Sequence, residues 1–141
     1  MTDADVLAGL EKHAVVPVVE IDDAAAAVPL ARTLAEAGLP LVEVTFRTAA
    51  GRDAVAAIAT EVPDFLVGAG TLLTAEAVAA AAAAGARFGV APGTSAACLA
   101  RAAEIGLPFV PGVVTPSEVM TCRTNPICWR RMSGASWRPA L

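Results

Sequence analysis

Apolar and polar positions alternate along this chain in blocks rather than singly. Short runs of consecutive β-branched and aromatic residues are separated by longer segments with apolar residues at helical spacing. After a short helical lead over residues 2–12, Val15-Val16-Pro17-Val18-Val19-Glu20-Ile21 is a continuous apolar run, which predicts a buried strand. Asp22 and Asp23 can cap a helix over residues 24–37 that Gly38 stops. Leu41-Val42-Glu43-Val44-Thr45 reads as the second strand, with its helix over 50–60 ending before Pro63. Phe65-Leu66-Val67-Gly68-Ala69-Gly70 is the third, followed by an alanine helix from Thr74 to Gly85. Arg87-Phe88-Gly89-Val90, a helix over 94–104 and Pro108-Phe109-Val110-Pro111 supply the fourth strand, its helix and the fifth strand. Thr115-Pro116-Ser117-Glu118 carries the signals of a further helix start. Thr121-Cys122-Arg123-Thr124-Asn125-Pro126 is expected to break that helix almost at once, because a proline removes a donor and clashes with the preceding turn.

Continuous apolar strands alternating with helices imply a parallel sheet covered by helices. Two architectures fit: a (β/α)8 barrel, of which five units are legible, or a doubly wound open sheet. The length of 141 residues suits one domain. Hydrophobic content is 56%, much of it alanine, so each buried residue contributes little area although helix–sheet packing can be close. Despite a mean hydropathy of +0.62, Glu76, Arg87 and Arg101 interrupt the apolar stretches, and no uncharged run reaches the roughly 18 residues of a membrane span. The first residues, Met1-Thr2-Asp3-Ala4-Asp5, lack the basic and apolar regions of a secretory signal. A cytoplasmic protein without membrane partners is expected. The net charge of −4 argues against nucleic acid as a partner.

The charge changes abruptly along the chain. All 14 acidic residues lie at or before Glu118, whereas residues 121–141 carry Arg123, Arg130, Arg131 and Arg138, both tryptophans (Trp129, Trp137), Cys122 and Cys128. Such a switch predicts a boundary between a barrel-like domain over residues 1–120 and a divergent tail over 121–141, as a frameshift after Met120 would produce. Stopping a barrel after five strands leaves two sheet edges unpaired, so poor solubility or self-association is expected.

In parallel α/β folds, chemistry gathers at the carboxyl ends of the strands. Those ends are Glu20, Glu43 to Arg47, Gly70-Thr71, Pro92-Gly93 and Pro111-Gly112. Glu43 lies between Val42 and Val44; it reads equally as a general acid/base tuned by burial and as a structural partner of Arg47. Arg47 suits bidentate capture of a carboxylate or phosphate, or is a solvated loop residue. Gly70 and Thr71 let a ligand approach the backbone and offer it a hydroxyl, but a glycine-rich turn alone is weak evidence. His13, the sole histidine, precedes the first strand and reads as a surface or capping residue. One histidine, scattered carboxylates and three cysteines (Cys98, Cys122, Cys128) without paired spacing predict no metal site, no disulfide frame and no cofactor.

Taken together, Val15-Val16-Pro17-Val18, Leu41-Val42-Glu43-Val44-Thr45-Phe46-Arg47-Thr48, Val67-Gly68-Ala69-Gly70-Thr71-Leu72, Ala91-Pro92-Gly93 and residues 110–118 resemble the 2-keto-3-deoxy-6-phosphogluconate (KDPG) and 4-hydroxy-2-oxoglutarate (KHG) aldolase family. The resemblance implies a (β/α)8 barrel, commonly a homotrimer, that cleaves KDPG to pyruvate and glyceraldehyde 3-phosphate, or KHG to pyruvate and glyoxylate. It implies an imine between a lysine and the 2-keto group, acting as the electron sink for C–C cleavage. Glu43 then matches the family's general acid/base, and Arg47 and Thr71, with Gly70 and Pro92 beside them, match positions around the pyruvate moiety. The chain departs from the family at the amine. The family's lysine lies on the sixth strand, in a Lys-x-Phe-Pro-Ala-like context that does not occur here. The phosphate-binding glycines of the seventh and eighth turns are also not found. Lys12, the single lysine, precedes the first strand. The resemblance therefore predicts an aldolase-type site without a Schiff-base lysine, inactive as written. The alternative is a non-catalytic half-barrel that binds keto acids or associates with copies of itself.

Overall fold

The computed structural model describes residues 3–13 and 15–124. Helix α1 (Asp3–His13) precedes five strand–helix units. They are β1 (Val18–Val19) and α2 (Ala27–Glu36), β2 (Leu41–Thr45) and α3 (Gly51–Glu61), β3 (Leu66–Gly70) and α4 (Ala75–Ala83), β4 (Phe88–Ala91) and α5 (Ala96–Ile105), and β5 (Phe109–Pro111) and α6 (Pro116–Thr124). Among the described residues no helix is long and apolar enough to cross a membrane.

The five strands form one parallel sheet in the order β1-β2-β3-β4-β5. Spatial order equal to chain order, with no reversal, is barrel winding; a doubly wound sheet reverses direction at a switch point. The fold is thus the first five units of a (β/α)8 barrel, and the open-sheet alternative is set aside.

Strand alternation sorts the side chains into two layers. Val42 and Val44, Val67 and Ala69, and Phe109 point outward into a core shared with Val55 and Ile58 of α3, Val78 and Ala81 of α4, and Leu99 and Ala102 of α5. The inward row is Val18, Glu43, Gly68 and Phe88, which are register partners across β1 to β4. At the amino ends of the strands Val6 and Leu10 of α1 pack on Leu41, Leu66 and Phe88, forming an apolar floor. Gly68 makes this floor possible, since a Cβ there would collide with the Phe88 ring.

Three predicted elements differ in extent. The first strand pairs only over Val18–Val19, although Pro17 still accepts from the Glu43 N–H (2.8 Å). Pro17 has no N–H to donate. Past Val19 the backbone turns away, and the Ile21 carbonyl takes the Thr48 hydroxyl instead of a strand partner. The first long helix opens with a 3-10 turn over Ala24–Ala26, capped by Asp23 Oδ1 accepting from Ala25 N (3.0 Å). It ends at Gly38, whose φ of +83° suits glycine. The sixth helix, expected to be broken almost at once by the segment 121–126, instead continues to Thr124. The physical reason is that Pro126 removes only the hydrogen bond to Cys122 O and constrains residue 125, so donors up to Thr124 remain free to complete the helix. Its start carries the expected capping box: Glu118 Oε2 accepts from Thr115 N (2.8 Å), and Thr115 Oγ1 accepts from Glu118 N (3.3 Å). Cys98 and Cys122 are buried free thiols. Cys128, Trp129, Trp137, Arg130, Arg131 and Arg138 lie outside the described residues.

The glycine-dependent floor gives a direct test. Gly68→Ala is expected to lower stability by about 1–3 kcal/mol through overpacking against Phe88. Gly93→Ala, where a Cβ meets nothing within 4 Å, stays within about 0.5 kcal/mol of the parent. Urea midpoints for the two variants provide the comparison.

Candidate active site

Above the apolar floor, the inner face turns polar. Glu43 and Thr45 are the two buried polar residues of the core, at 8% and 4% exposure. Both stand on the inward side of β2, two residues apart, so the alternation that places one places the other. The Glu43 carboxyl reaches forward and across onto β3: a Cβ on Gly70 would overlap Oε1. Glycine at that position is therefore a requirement of the acid, not of the backbone, because Gly70 has an ordinary φ.

Arg47, mostly exposed in the loop after β2, pairs with Glu20 at 3.7 Å (Nη1 to Oε2). Glu20 was named only as a strand-end residue, and its role as the arginine's carboxylate partner was not read from the sequence. Structural pairing of Glu43 with Arg47 is not the arrangement found. Burial pushes the Glu43 pKa up, and the nearby positive charge of Arg47 offsets part of that rise. Glu43 is thus a carboxyl whose proton is held more tightly than usual, beside a cation already engaged by another acid.

Thr71 follows Gly70 with φ of +60°, the sole non-glycine residue in the left-handed region among those described. A β-branched residue is strained there. The strain is held from both sides. Gly70 O accepts from Phe46 N (2.8 Å), and Leu72, fully buried, donates its N–H to Val90 O (3.1 Å). Pro92 is exposed on the rim one strand further, at the carboxyl end of β4. The backbone beside it is tight: a Cβ on Gly112 would collide with Pro92 O, and Thr94 Oγ1 donates to Gly112 O (2.9 Å).

Sheet order thus brings Glu43, Arg47, Gly70, Thr71 and Pro92 to one rim, on three neighbouring strands. Lys12 is not among them. It is exposed near the end of α1, the helix that closes the amino ends of the strands. The five residues of β2 separate the two ends by about 16 Å. His13 ends the same helix, partly buried. Among the described residues no three His, Cys, Asp or Glu side chains gather into a metal cluster. Thr45 was not singled out in the sequence, although its position two residues after Glu43 on an apolar strand was a usable signal.

The KDPG and KHG aldolase family model matches residues 6–127. Curated relatives include the 2-dehydro-3-deoxy-phosphogluconate aldolase of Treponema pallidum, 44% identical over 110 residues (78% of this chain and 52% of that protein). Another is the KHG/KDPG aldolase of Escherichia coli K12, 43% identical over 106 residues (75% and 50%). A crystal structure of KDPG aldolase from Legionella pneumophila, with pyruvate captured at low pH as a covalent carbinolamine, superposes with a TM-score of 0.77 at 35% identity. It covers 86% of this chain and 57% of that one. The Zymomonas mobilis enzyme gives a TM-score of 0.73 at 38% identity, covering 79% and 54%. The chain spans about half the length of the curated relatives it matches.

Two measurements check this geometry. A carboxyl with a raised folded-state pKa favours folding at pH values below its unfolded pKa, and that contribution is lost as pH rises through the folded value. Glu43→Gln removes the charge, so the variant should be more stable than the parent at neutral pH, with the gap closing as pH falls through the carboxylate range. Urea unfolding at several pH values would reveal it. For Thr71, glycine and alanine both delete the hydroxyl, but only glycine relaxes φ. Thr71→Gly should therefore exceed Thr71→Ala in stability by about 1 kcal/mol, read from thermal melts.

Proposed function

The chain belongs to the KDPG and KHG aldolase family, and from that premise we propose that its rim is a keto-acid site holding the acid/base and carboxylate-binding half of a Schiff-base aldolase. Arg47 and the Thr71 hydroxyl take the carboxylate of a pyruvate moiety, with Gly70 and Pro92 shaping the approach. Glu43 faces the carbonyl carbon and moves protons there. The single observation that carries this reading is the placement of one buried carboxyl with a raised pKa beside an arginine, at the carboxyl ends of barrel strands. Buried acids of this kind suit proton transfer near neutral pH.

In the full reaction an amine adds to the 2-keto carbon, giving a carbinolamine that loses water to form an imine. The protonated imine accepts the electron pair released when the C3–C4 bond breaks. Glu43 is the group that donates and recovers protons at the carbinolamine and aldol steps. The 141 residues contain no lysine besides Lys12, and Lys12 sits behind the floor of α1. The proposal for this chain is thus non-covalent keto-acid binding without turnover; cleavage of KDPG or KHG belongs to an assembly that adds an amine opposite Glu43. Homotrimer formation and a cytoplasmic setting complete the reading for such an assembly. Copies of this chain also have a route to self-association: among the described residues β1 and β5 each pair on one side only, and Val18 and Val114 are 61% and 93% exposed.

Calorimetric titration with pyruvate is expected to give millimolar-range binding, weakened at least about tenfold in Arg47→Ala by loss of a charged anchor. Borohydride trapping with pyruvate should leave the chain's mass unchanged. An adduct on Lys12 or the amino terminus would refute the non-covalent reading. Absence of heat with pyruvate would favour the chain that only self-associates.

A further inference from the structure

Thr45 is the one buried side-chain oxygen without a hydrogen-bond partner among the described residues. Native interiors rarely leave such a group unmatched, because an unsatisfied buried hydroxyl costs about 1–3 kcal/mol. Its surroundings give the explanation. Thr45 and Gly70 are register partners, and neighbouring parallel strands lie about 4.8 Å apart. The Glu43 carboxyl lies over Gly70, where a Cβ would overlap its Oε1. The acid has therefore folded forward to the level of Thr45, one strand spacing away. The Thr45 backbone is fixed, since α3 starts so close that a Cβ on Gly51 would be 2.6 Å from Thr45 O. The hydroxyl is left with rotation about χ1 as its freedom.

We propose that Thr45 is a positioning residue for Glu43: its hydroxyl accepts from the protonated carboxyl and, after rotating, donates to the carboxylate. The proposal rests on reading Glu43 as the site's acid/base. A hydroxyl is the smallest side-chain group that can both donate and accept, so it can follow a carboxyl through both protonation states. Glu43 gives up its proton to the substrate and recovers it later; the Thr45 proton never leaves its oxygen and only changes direction. The bond to the charged form is the stronger of the two, so the hydroxyl offsets part of the penalty that burial places on ionised Glu43. No other neutral group is assigned this task. The charged groups of the described rim loops are Glu20, Asp22 and Asp23 after β1 and Arg47 after β2. The loops after β3, β4 and β5 (residues 71–74, 92–95 and 112–115) carry none, and Glu118 of α6 is engaged by its own capping hydrogen bonds.

The test is a ¹³C NMR titration of the Glu43 carboxyl in the 141-residue chain, its Thr45→Val variant and its Thr45→Ser variant. Valine keeps the shape and removes the hydroxyl; serine keeps the hydroxyl. The expected result is a Glu43 midpoint about 0.5–1 pH unit higher in Thr45→Val, with serine restoring the parent value. If valine does not fold, Thr45→Ala takes its place. An unchanged midpoint in the hydroxyl-free variant overturns the proposal, as does a serine variant that titrates like valine, since a purely structural threonine would alter stability without moving the acid. Pyruvate titration of the parent is run alongside. Absence of binding there counts against the keto-acid reading, while the NMR comparison still decides whether Thr45 positions Glu43.

Discussion

The inner face of this sheet depends on two missing side chains on β3. Gly68 yields its space to the Phe88 ring, and Gly70 yields its space to the Glu43 carboxyl. The first substitution of nothing for something builds the apolar floor with α1; the second lets an acid lie across a neighbouring strand. Any side chain at 68 would lift Phe88 off Leu41 and Leu66, and any at 70 would push Glu43 off β3. One strand, read as Leu-Val-Gly-Ala-Gly, therefore shapes both the apolar floor and the polar rim of the half-barrel, while its alternate residues Val67 and Ala69 anchor it to the helices.

That arrangement was partly legible in the sequence. Continuous apolar strands separated by helices identified the parallel sheet, and the residues at strand ends identified the rim, because parallel α/β folds leave little choice about where loops with chemistry lie. The choice between barrel and doubly wound order came from the family resemblance and not from the local pattern, which says which residues are strand but not which strand neighbours which. The extent of the first strand was misjudged because Val15 and Val16 are apolar enough for a strand, yet pairing is governed by Pro17 and by where the backbone turns at Glu20. The sixth helix outlasts its expected early break because a proline acts on the residue before it and on the carbonyl four residues back, not on the whole preceding turn. Glycine 70 was read as a place for ligand approach; its tighter role beneath Glu43 follows from side-chain reach, which spacing cannot show.

The placement of the amine is the main chemical asymmetry. An imine mechanism needs a nitrogen nucleophile and a proton-moving group on opposite sides of one carbonyl carbon. Here the buried acid Glu43, to which we assign proton transfer, is at the rim, and the single lysine is at the far end of the strands, on the helix that carries Val6 and Leu10. No rotamer change closes a gap of strand length, because the floor between them is packed side chain. The proposed carboxylate anchors do not share this limit: Arg47 and Thr71 belong to the same rim as Glu43, on loops whose conformations are already set by hydrogen bonds from Phe46 and Leu72.

Local costs gather at one place in this fold. The buried acid of Glu43, the left-handed backbone of Thr71 and the unmatched hydroxyl of Thr45 are all within two neighbouring strand ends. Elsewhere local preference and tertiary structure agree: Asp23, Thr74 and Ser95 cap their helices, Gly38 and Gly106 end theirs, and outward valines meet helix alanines. Sequences that fold well keep such conflicts few, and those that remain collect where binding or catalysis needs them. Packing alone would not produce this clustering, since a valine at 45, a glycine at 71 and an apolar residue at 43 would each relieve a conflict without disturbing the outward core. The conflicts thus fall together on the ends of β2 and β3, on side chains and backbone that the outward core does not need.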